Sequence, residues 1–386
     1  MIYLDNQATT PCDPRVIAAM LPYFGDTFAN PHSVEHHLGR LAEQTVEGAR
    51  ADIAGAVGAD PREVIFTSGA TEANNLAIKG AARFARRHGI ERRRIITLST
   101  EHRCVLESVA DLAEDGFEPV VLPVEADGRL DPDRLRAALA KPTLLVSVMT
   151  ANNEIGVIQD LAPLSGLTRA AGALLHTDAA QAVGKIATDV NALGIDLLSI
   201  SGHKLYGPKG IGALYVRRRP RARLDPLFSG GGQERGLRSG TLPTPLIVGL
   251  GVACQIAYDE MAQEAPRITQ LRDDLLRRLR TAIPGLVVNG SEAHRLPGNL
   301  NLTFPNTTAQ QIMADCPDLC ISTGSACSSA EIEPSYVLAA LGLTSDAASR
   351  SLRIGIGRFT SAAEIAQAAE ALIAAVACIS PNTHAR

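Results

Sequence analysis

Apolar and polar positions divide the chain into two regimes. From Pro61 to about Tyr215, short unbroken apolar runs alternate with stretches of helical periodicity. Val64-Ile65-Phe66-Thr67 reads as a buried strand, and a helix is expected over Glu72–Arg87. Further strands are expected at Ile95–Leu98, Pro119–Val124, Leu144–Met149, Ala173–Thr177, Leu197–Ser201 and Ile211–Val216, with a helix at Val105–Glu114. Strands apolar at every position are buried on both faces, and intervening helices make the crossovers of a parallel sheet. The expectation is an α/β fold on a mostly parallel, seven-stranded sheet.

Beyond Pro243 and Pro245 an apolar helix is expected to reach about Met261, and after Pro266 the pattern changes. A helix, strands at Leu286–Val288 and Leu300–Phe304, another helix, a strand at Leu352–Ile356 and a last helix over Ala362–Ala377 follow. They describe a smaller α+β unit. The expected division is an N-terminal arm over 1–15 that joins the small domain, a large domain over 16–257 and a small domain over 258–386. A length of 386 residues suits one large and one smaller core.

Composition narrows the class. With 46% hydrophobic and 20% charged residues the chain has the balance of a soluble globular protein. A net charge of −4 gives no reason to expect direct nucleic-acid binding. The basic runs Arg92-Arg93-Arg94 and Arg217-Arg218-Arg219 read as solvated loop faces or as docking points for an acidic partner. No stretch approaches the roughly 18 apolar residues of a membrane span, and the start shows no signal-peptide pattern. Seven scattered cysteines do not make a disulfide framework, so reduced thiols in a cytoplasmic enzyme are expected.

Ligands of such sheets gather where strands end, so the loops after the strands carry the chemistry. Lysine is scarce: five among 37 Lys and Arg residues. Lys204 sits in Ser201-Gly-His-Lys, directly after an apolar strand. An amine there can form a Schiff base with a carbonyl cofactor if partial burial lowers its pKa. In His176-Thr-Asp178-Ala-Ala-Gln181, Asp178 closes the preceding strand, where a carboxylate keeps a pyridine nitrogen protonated; it also reads as an N-cap. Ser68-Gly69-Ala70-Thr71 turns from strand into helix and makes an anion cradle, although a plain Ser or Thr cap explains it equally. Glu101-His102 and Asn152-Asn153-Glu154 follow two further strands. His102 reads as a ring that stacks or moves a proton, or as a structural histidine.

Two features lie in the second regime. Gly324-Ser325-Ala326-Cys327-Ser328-Ser329 is a run of small residues in which a mobile, exposed thiol is expected. Cys316, Cys320 and Cys327 lack the close pair and histidine of common zinc sites, and Cys320, in an apolar run, is expected to be buried. Arg353, flanked by apolar residues, is either paired internally or waiting for a planar carboxylate.

Together these segments resemble the NifS/IscS-like cysteine desulfurases of the class V aminotransferase family, which have the pyridoxal-phosphate fold type I. The resemblance runs nearly end to end, through Leu4-Asp-Asn-Gln-Ala-Thr-Thr-Pro, Thr67-Ser-Gly-Ala-Thr-Glu-Ala-Asn-Asn, Asn152-Asn-Glu-Ile-Gly, Ser201-Gly-His-Lys, Gly230-Gly-Gly-Gln-Glu-Arg, Arg238-Ser-Gly-Thr and Gly324-Ser-Ala-Cys. It implies the cofactor pyridoxal 5'-phosphate, with Lys204 as Schiff-base lysine, Asp178 beside the pyridine nitrogen and His102 stacked on the ring. Gln181 and Asn153 match groups around the ring oxygen and substrate. Ala70, Thr71, Ser201 and His203 match the phosphate cradle. Thr241 matches a residue that reaches the other subunit's phosphate, which implies a homodimer. Arg353 matches the clamp for the carboxylate of L-cysteine, and Cys327 the thiol that takes the sulfur as a persulfide while alanine leaves. The loop from Cys327 to Pro334 resembles the subgroup that hands sulfur to a scaffold or carrier protein, in iron–sulfur assembly, tRNA thiolation or DNA sulfur modification. No resident metal is expected, with Cys327 open as a transient iron–sulfur ligand. Selenocysteine lyase, or another enzyme of the same fold, is the rival reading. Gly355 stands where many relatives carry Ser, which predicts a looser carboxylate site.

Overall fold

The computed structural model describes residues 1–324 and 335–379. In chain order its elements are β1 (Ile2–Tyr3), α1 (Pro14–Met20), α2 (His37–Ala56), β2 (Val64–Thr67), α3 (Ala70–Arg87), β3 (Arg94–Leu98), α4 (Arg103–Asp111) and β4 (Glu118–Leu122). There follow α5 (Pro132–Ala138), β5 (Thr143–Ser147), α6 (Leu161–Ala170), β6 (Leu174–Asp178), β7 (Leu197–Ser201), β8 (Gly212–Val216) and α7 (Thr244–Ala282). The remainder is β9 (Val287–Val288), β10 (Asn299–Thr303), α8 (Ala309–Asp315), β11 (Leu319–Cys320), α9 (Tyr336–Ala340), α10 (Ser345–Ser349), β12 (Ser351–Gly355) and α11 (Ala362–Ile379).

The expected seven strands form one sheet in the order β2-β8-β7-β6-β5-β3-β4. β8 runs antiparallel to both its neighbours, and the other pairs are parallel. The short link from β7 to β8 allows a reversal, whereas the parallel pairs need crossovers. Alternate strand side chains feed two apolar layers. Phe66, Ile96 and Ile200 pack with Val46, Ile53 and Ile247 from α2 and α7, while Ile65, Ile95 and Leu214 pack with Leu76, Ile78 and Val105 from α3 and α4. Burial on both faces explains why these strands read as continuous apolar runs.

A second core gathers β10, flanked by β12 and β9, against α8, α11 and the end of α7, with Leu302, Phe304, Ile354, Leu275 and Leu372 inside. Ile2 and Leu4 of the N-terminal segment belong to this core, and β1 pairs in parallel with β11. Helix α7 differs from expectation: it continues through Pro266 for 39 residues. A proline inside a helix removes one hydrogen bond. Here burial of Ala257 before it, and of Ile268, Leu275, Leu276 and Leu279 after it, holds the two halves in line.

Strand β2 lies at the sheet's edge, where free N–H groups must find partners. The Phe66 N–H donates to Glu234 Oε2 at 2.8 Å. Both Glu234 oxygens accept from the Arg50 guanidinium, each at 2.8 Å, and Arg50 stacks over the Phe66 ring. Arg50 and Glu234 are both buried, so removing one leaves the other charge uncompensated. Glu234→Ala is expected to cost about 3–5 kcal/mol, read as a lower midpoint in chemical denaturation, whereas Glu47→Ala, at the exposed partner of Arg50, changes it by under about 1 kcal/mol.

Candidate active site

The carboxyl ends of β3, β5, β6 and β7, the N-terminus of α3 and the N-terminal segment enclose a cavity of about 620 Å³. Ala70, Thr71, His102, Asn153, Asp178, Gln181, Ser201, His203, Lys204 and Arg353 all line it, joined by Gln7, Cys104, Lys209 and Gly324. Ten of the positions expected from the sequence thus meet in one place. Thr241 is not among the lining residues; it is exposed in the loop before α7. Cys327 lies outside the described residues. Of the described residues nearest to it in sequence, Gly324 lines the cavity wall, and Ser335 Oγ donates to Glu154 Oε2 at 2.5 Å.

Asp178 ends β6 with its carboxylate buried, 5% exposed. Its Oδ1 accepts from the Ala180 N–H at 2.9 Å and its Oδ2 from Asn74 Nδ2 at 2.7 Å. No helix follows, so its N-cap reading falls away and the anion is held at the cavity wall. Asn74, fully buried one turn into α3, also lies 3.2 Å from Cys104 Sγ. Cys104 Sγ in turn sits 3.0 Å from His102 Nδ1, which accepts the Cys104 N–H as the cap of α4. His102 therefore caps a helix and also faces the cavity. Asn74 and Cys104 are the residues that sequence reasoning missed. The available signal was an asparagine among the buried alanines of an amphipathic helix.

Helix α3 begins two residues before its expected start, with Gly69 as its cap and no side-chain acceptor for its first amides. Those N–H groups and the positive end of the helix dipole face the cavity. Gly212 of β8 allows the close approach: a Cβ there would stand 2.7 Å from Gly69 Cα. Ser201 and His203 complete this end, with His203 Nδ1 3.0 Å from Thr9 Oγ1. Burial, reinforced by Lys204, Lys209 and Lys185, pushes the His203 imidazole down to about 4.

Lys204 closes the turn after β7 and donates through Nζ to the backbone oxygens of Gln7 at 2.6 Å and Ala8 at 2.8 Å. The Gln7 oxygen also accepts from Gln181 Nε2 at 2.9 Å. Arg353 on β12 is buried; its Nη2 donates to Asp5 Oδ1 at 2.7 Å and its Nη1 to the Asn153 oxygen at 3.1 Å, while Nε has no partner among the described residues. Asp5 also accepts from Ser322 Oγ at 3.0 Å. Arg353 is thus paired internally, and it also lines the cavity. Asn152 is committed to its own turn: its Oδ1 accepts from Glu154 and Ile155, and its Nδ2 donates to the Thr100 oxygen. Cys320, expected inside, is half-buried on the short strand β11, because a two-stranded pair leaves one face uncovered.

Gly355 does not loosen the arginine's surroundings. A Cβ on it would fall 1.8 Å from Gln7 Oε1 and 2.8 Å from the Asn6 nitrogen, so the Gln7 side chain fills the space that a serine would take. Gly355→Ala is expected to lower stability by about 1–3 kcal/mol through overpacking, seen in thermal unfolding. Gln7→Ala in the same chain should recover part of that loss, the rest being set by the Asn6 backbone.

Deep in the sheet, His176 lies between Ser147 Oγ at 2.8 Å and Ser199 Oγ at 3.1 Å, and burial pushes its imidazole down to about 3. Its folded value lies below the ordinary 6.5, so the unfolded chain binds the proton that the folded chain refuses. Its contribution is complete above pH 6.5 and is lost as pH falls towards 3. Denaturation midpoints across that range should slope less steeply in His176→Asn than in the unaltered chain.

Against known proteins, the family model of class-V aminotransferases matches residues 2–367. The chain is 52% identical to the cysteine desulfurase of Homo sapiens over 364 residues, which cover 94% of this chain and 79% of that protein. Among solved structures, a NifS-like protein superposes with a TM-score of 0.90 at 32% identity, covering 98% of this chain and 99% of its own. SspA in complex with cysteine superposes at 0.82 with 38% identity, covering 94% of this chain and all (100%) of its own.

Proposed function

The chain belongs to the class-V aminotransferase family, and from that premise we propose that it is a pyridoxal-phosphate-dependent cysteine desulfurase, which takes the sulfur from L-cysteine and releases L-alanine. One observation carries this reading: the Lys204 amine, the buried Asp178 carboxylate and the N-terminus of α3, which has no side-chain cap, line a single cavity. A flat, phosphorylated, carbonyl-bearing pyridine needs these three groups, an amine for the carbonyl, an anion for the ring nitrogen and amides for the phosphate. The fit extends to the wall, where His102 offers a ring and Gln181 an amide. When bound, pyridoxal phosphate supplies an electron sink for the bond-breaking at the substrate.

The chain's own residues would act as follows. Lys204 Nζ would hold the cofactor through its carbonyl, and as a free amine it would move the proton at the substrate Cα. Asp178, fixed by Asn74 and the Ala180 amide, keeps its charge beside the ring nitrogen. Thr71, Ala70, Ser201 and His203 cradle the phosphate; a neutral His203 can donate or accept there without adding charge. Arg353 and Asn153 orient the substrate carboxylate, with Arg353 exchanging part of its pairing with Asp5. Cys327 Sγ, as thiolate, attacks the substrate sulfur, so that an S–S bond forms as the C–S bond breaks. Three peptide links separate Gly324 on the cavity wall from Cys327, a reach of about 11 Å at most.

The same reading includes a homodimer, with Thr241 serving the partner's phosphate. Its support is a cleft lined by Pro31, Val34 and Leu242, next to Thr241, on a stretch that exposes Leu21, Phe24, Phe28 and Leu38. Delivery of the persulfide to a scaffold or carrier protein and a cytoplasmic setting complete the proposal. The six described cysteines are free thiols, and among the described residues no helix is long and apolar enough to cross a membrane.

Two variants test the assignment separately. Lys204→Ala should lose the visible absorption of the lysine-bound cofactor. Cys327→Ala should keep that absorption, yet form neither protein-bound persulfide nor alanine from L-cysteine. Normal alanine formation by Cys327→Ala would remove the thiol from the reaction.

A further inference from the structure

A second lysine stands behind the first. Lys185, in the turns after β6, extends its Nζ to Gln181 Oε1 at 3.0 Å. Gln181 passes the contact on, since its Nε2 donates to the Gln7 oxygen that also receives Lys204 Nζ. A carboxamide can usually be turned over without changing its shape, and only its partners decide which end is oxygen. Here they decide it fully. The Gln7 backbone carbonyl can only accept, so Gln181 must point its NH2 at Gln7 and its oxygen at Lys185, whose Nζ can donate in either charge state. One N–H is then committed to Gln7, and the second remains on a residue that lines the cavity.

We propose that Lys185 is a positioning residue of the active site. It clamps Gln181 so that a charge-reinforced N–H is presented to the ring oxygen of bound pyridoxal phosphate. The inference rests on the cofactor assignment made above and adds a residue that touches neither cofactor nor substrate. The surroundings fit a device rather than a stray charge. Lys185 lines a small cavity with Asn6, Gln7, Tyr206 and Glu264, behind the active-site wall. Burial lowers its ammonium to about 7, with Lys204 and Arg353 adding to the effect and Glu264 on α7 opposing it. A lysine kept at that cost, without a close carboxylate in its hydrogen bonds, has its clearest use in the one amide that it grips.

Lys185→Met keeps the stem and removes the grip. In the holoenzyme, the pH midpoint of the cofactor's visible absorption reads the change: losing a donor and a positive charge near the ring oxygen should move it to higher pH by about one unit, a tenfold change in the equilibrium. Lys185→Arg should restore most of the shift. In a Gln181→Ala background, Lys185→Met should shift the midpoint much less, because the lysine acts through that amide. An unchanged midpoint in Lys185→Met, or an equal shift with and without Gln181, overturns the proposal. Should Lys185→Met fail to fold, Lys185→Gln tests the same link. It keeps a polar end in the pocket and removes the charge behind the Gln181 N–H, so the midpoint must rise. A wild-type protein without visible absorption would overturn the cofactor assignment and this inference together. Absorption and alanine formation with an unmoved midpoint would overturn this inference alone.

Discussion

The backbone oxygen of Gln7 receives Lys204 Nζ at 2.6 Å and Gln181 Nε2 at 2.9 Å. It belongs to an N-terminal segment that starts in the second core and crosses to the carboxyl edge of the large sheet. The segment is stitched at both ends. On one side the Gly355 N–H donates to Leu4, and Asn6 donates to Gly355 through its side chain at 2.8 Å. On the other, the Thr10 N–H donates to the His203 oxygen and the Asp13 N–H to the Tyr206 oxygen, each at 2.9 Å. A backbone carbonyl is an obligatory acceptor, and this one gathers the two groups whose aim matters most at the cavity. The position of the amine is thus set by how the two cores dock.

Charge in the cavity is arranged in short range. Among the described residues Asp178 has no lysine or arginine as a hydrogen-bonding partner; amide donors from Asn74 and Ala180 hold its carboxylate. Arg353 is the converse, a buried cation partly neutralised by Asp5 and a carbonyl. Asp5 comes from the same N-terminal segment as Gln7, so that segment touches both the amine and the arginine. Glu101 and Glu154, buried just behind the wall, have their carboxyls pushed up by burial, well above the ordinary range for Glu101, which limits the negative charge that they add.

Much of this was legible beforehand. The seven strands of the large sheet appear at their expected places because burial on both faces writes a continuous apolar signal. Loops after parallel strands face one edge by topology, so Asp178, Lys204 and His102 had to come near one another once the sheet was parallel. Their roles came less from spacing than from the resemblance of the surrounding motifs. The starts of α3 and α4 lie two residues earlier than the periodicity placed them, because caps and first turns carry little apolar signal. The passage of α7 through Pro266 was hidden because local rules stop a helix at proline, while two cores together hold it straight.

By itself, then, the sequence determined the alternation of strands and helices, the edge at which chemistry gathers and the side chains that chemistry would need. These are properties of short segments, fixed by burial pattern and residue type. The tertiary structure alone decided which partners those side chains meet: Asn74 on Asp178, Asp5 on Arg353, Lys185 on Gln181, and the Gln7 oxygen on Lys204. All but the Lys185–Gln181 pair, which lies four residues apart, join separate segments, and the last uses a backbone atom that every residue carries. A hydrogen bond depends on a few tenths of an ångström and on the direction of a donor. Only the packing of the two cores against the N-terminal segment sets those quantities, and no local pattern along the chain records them.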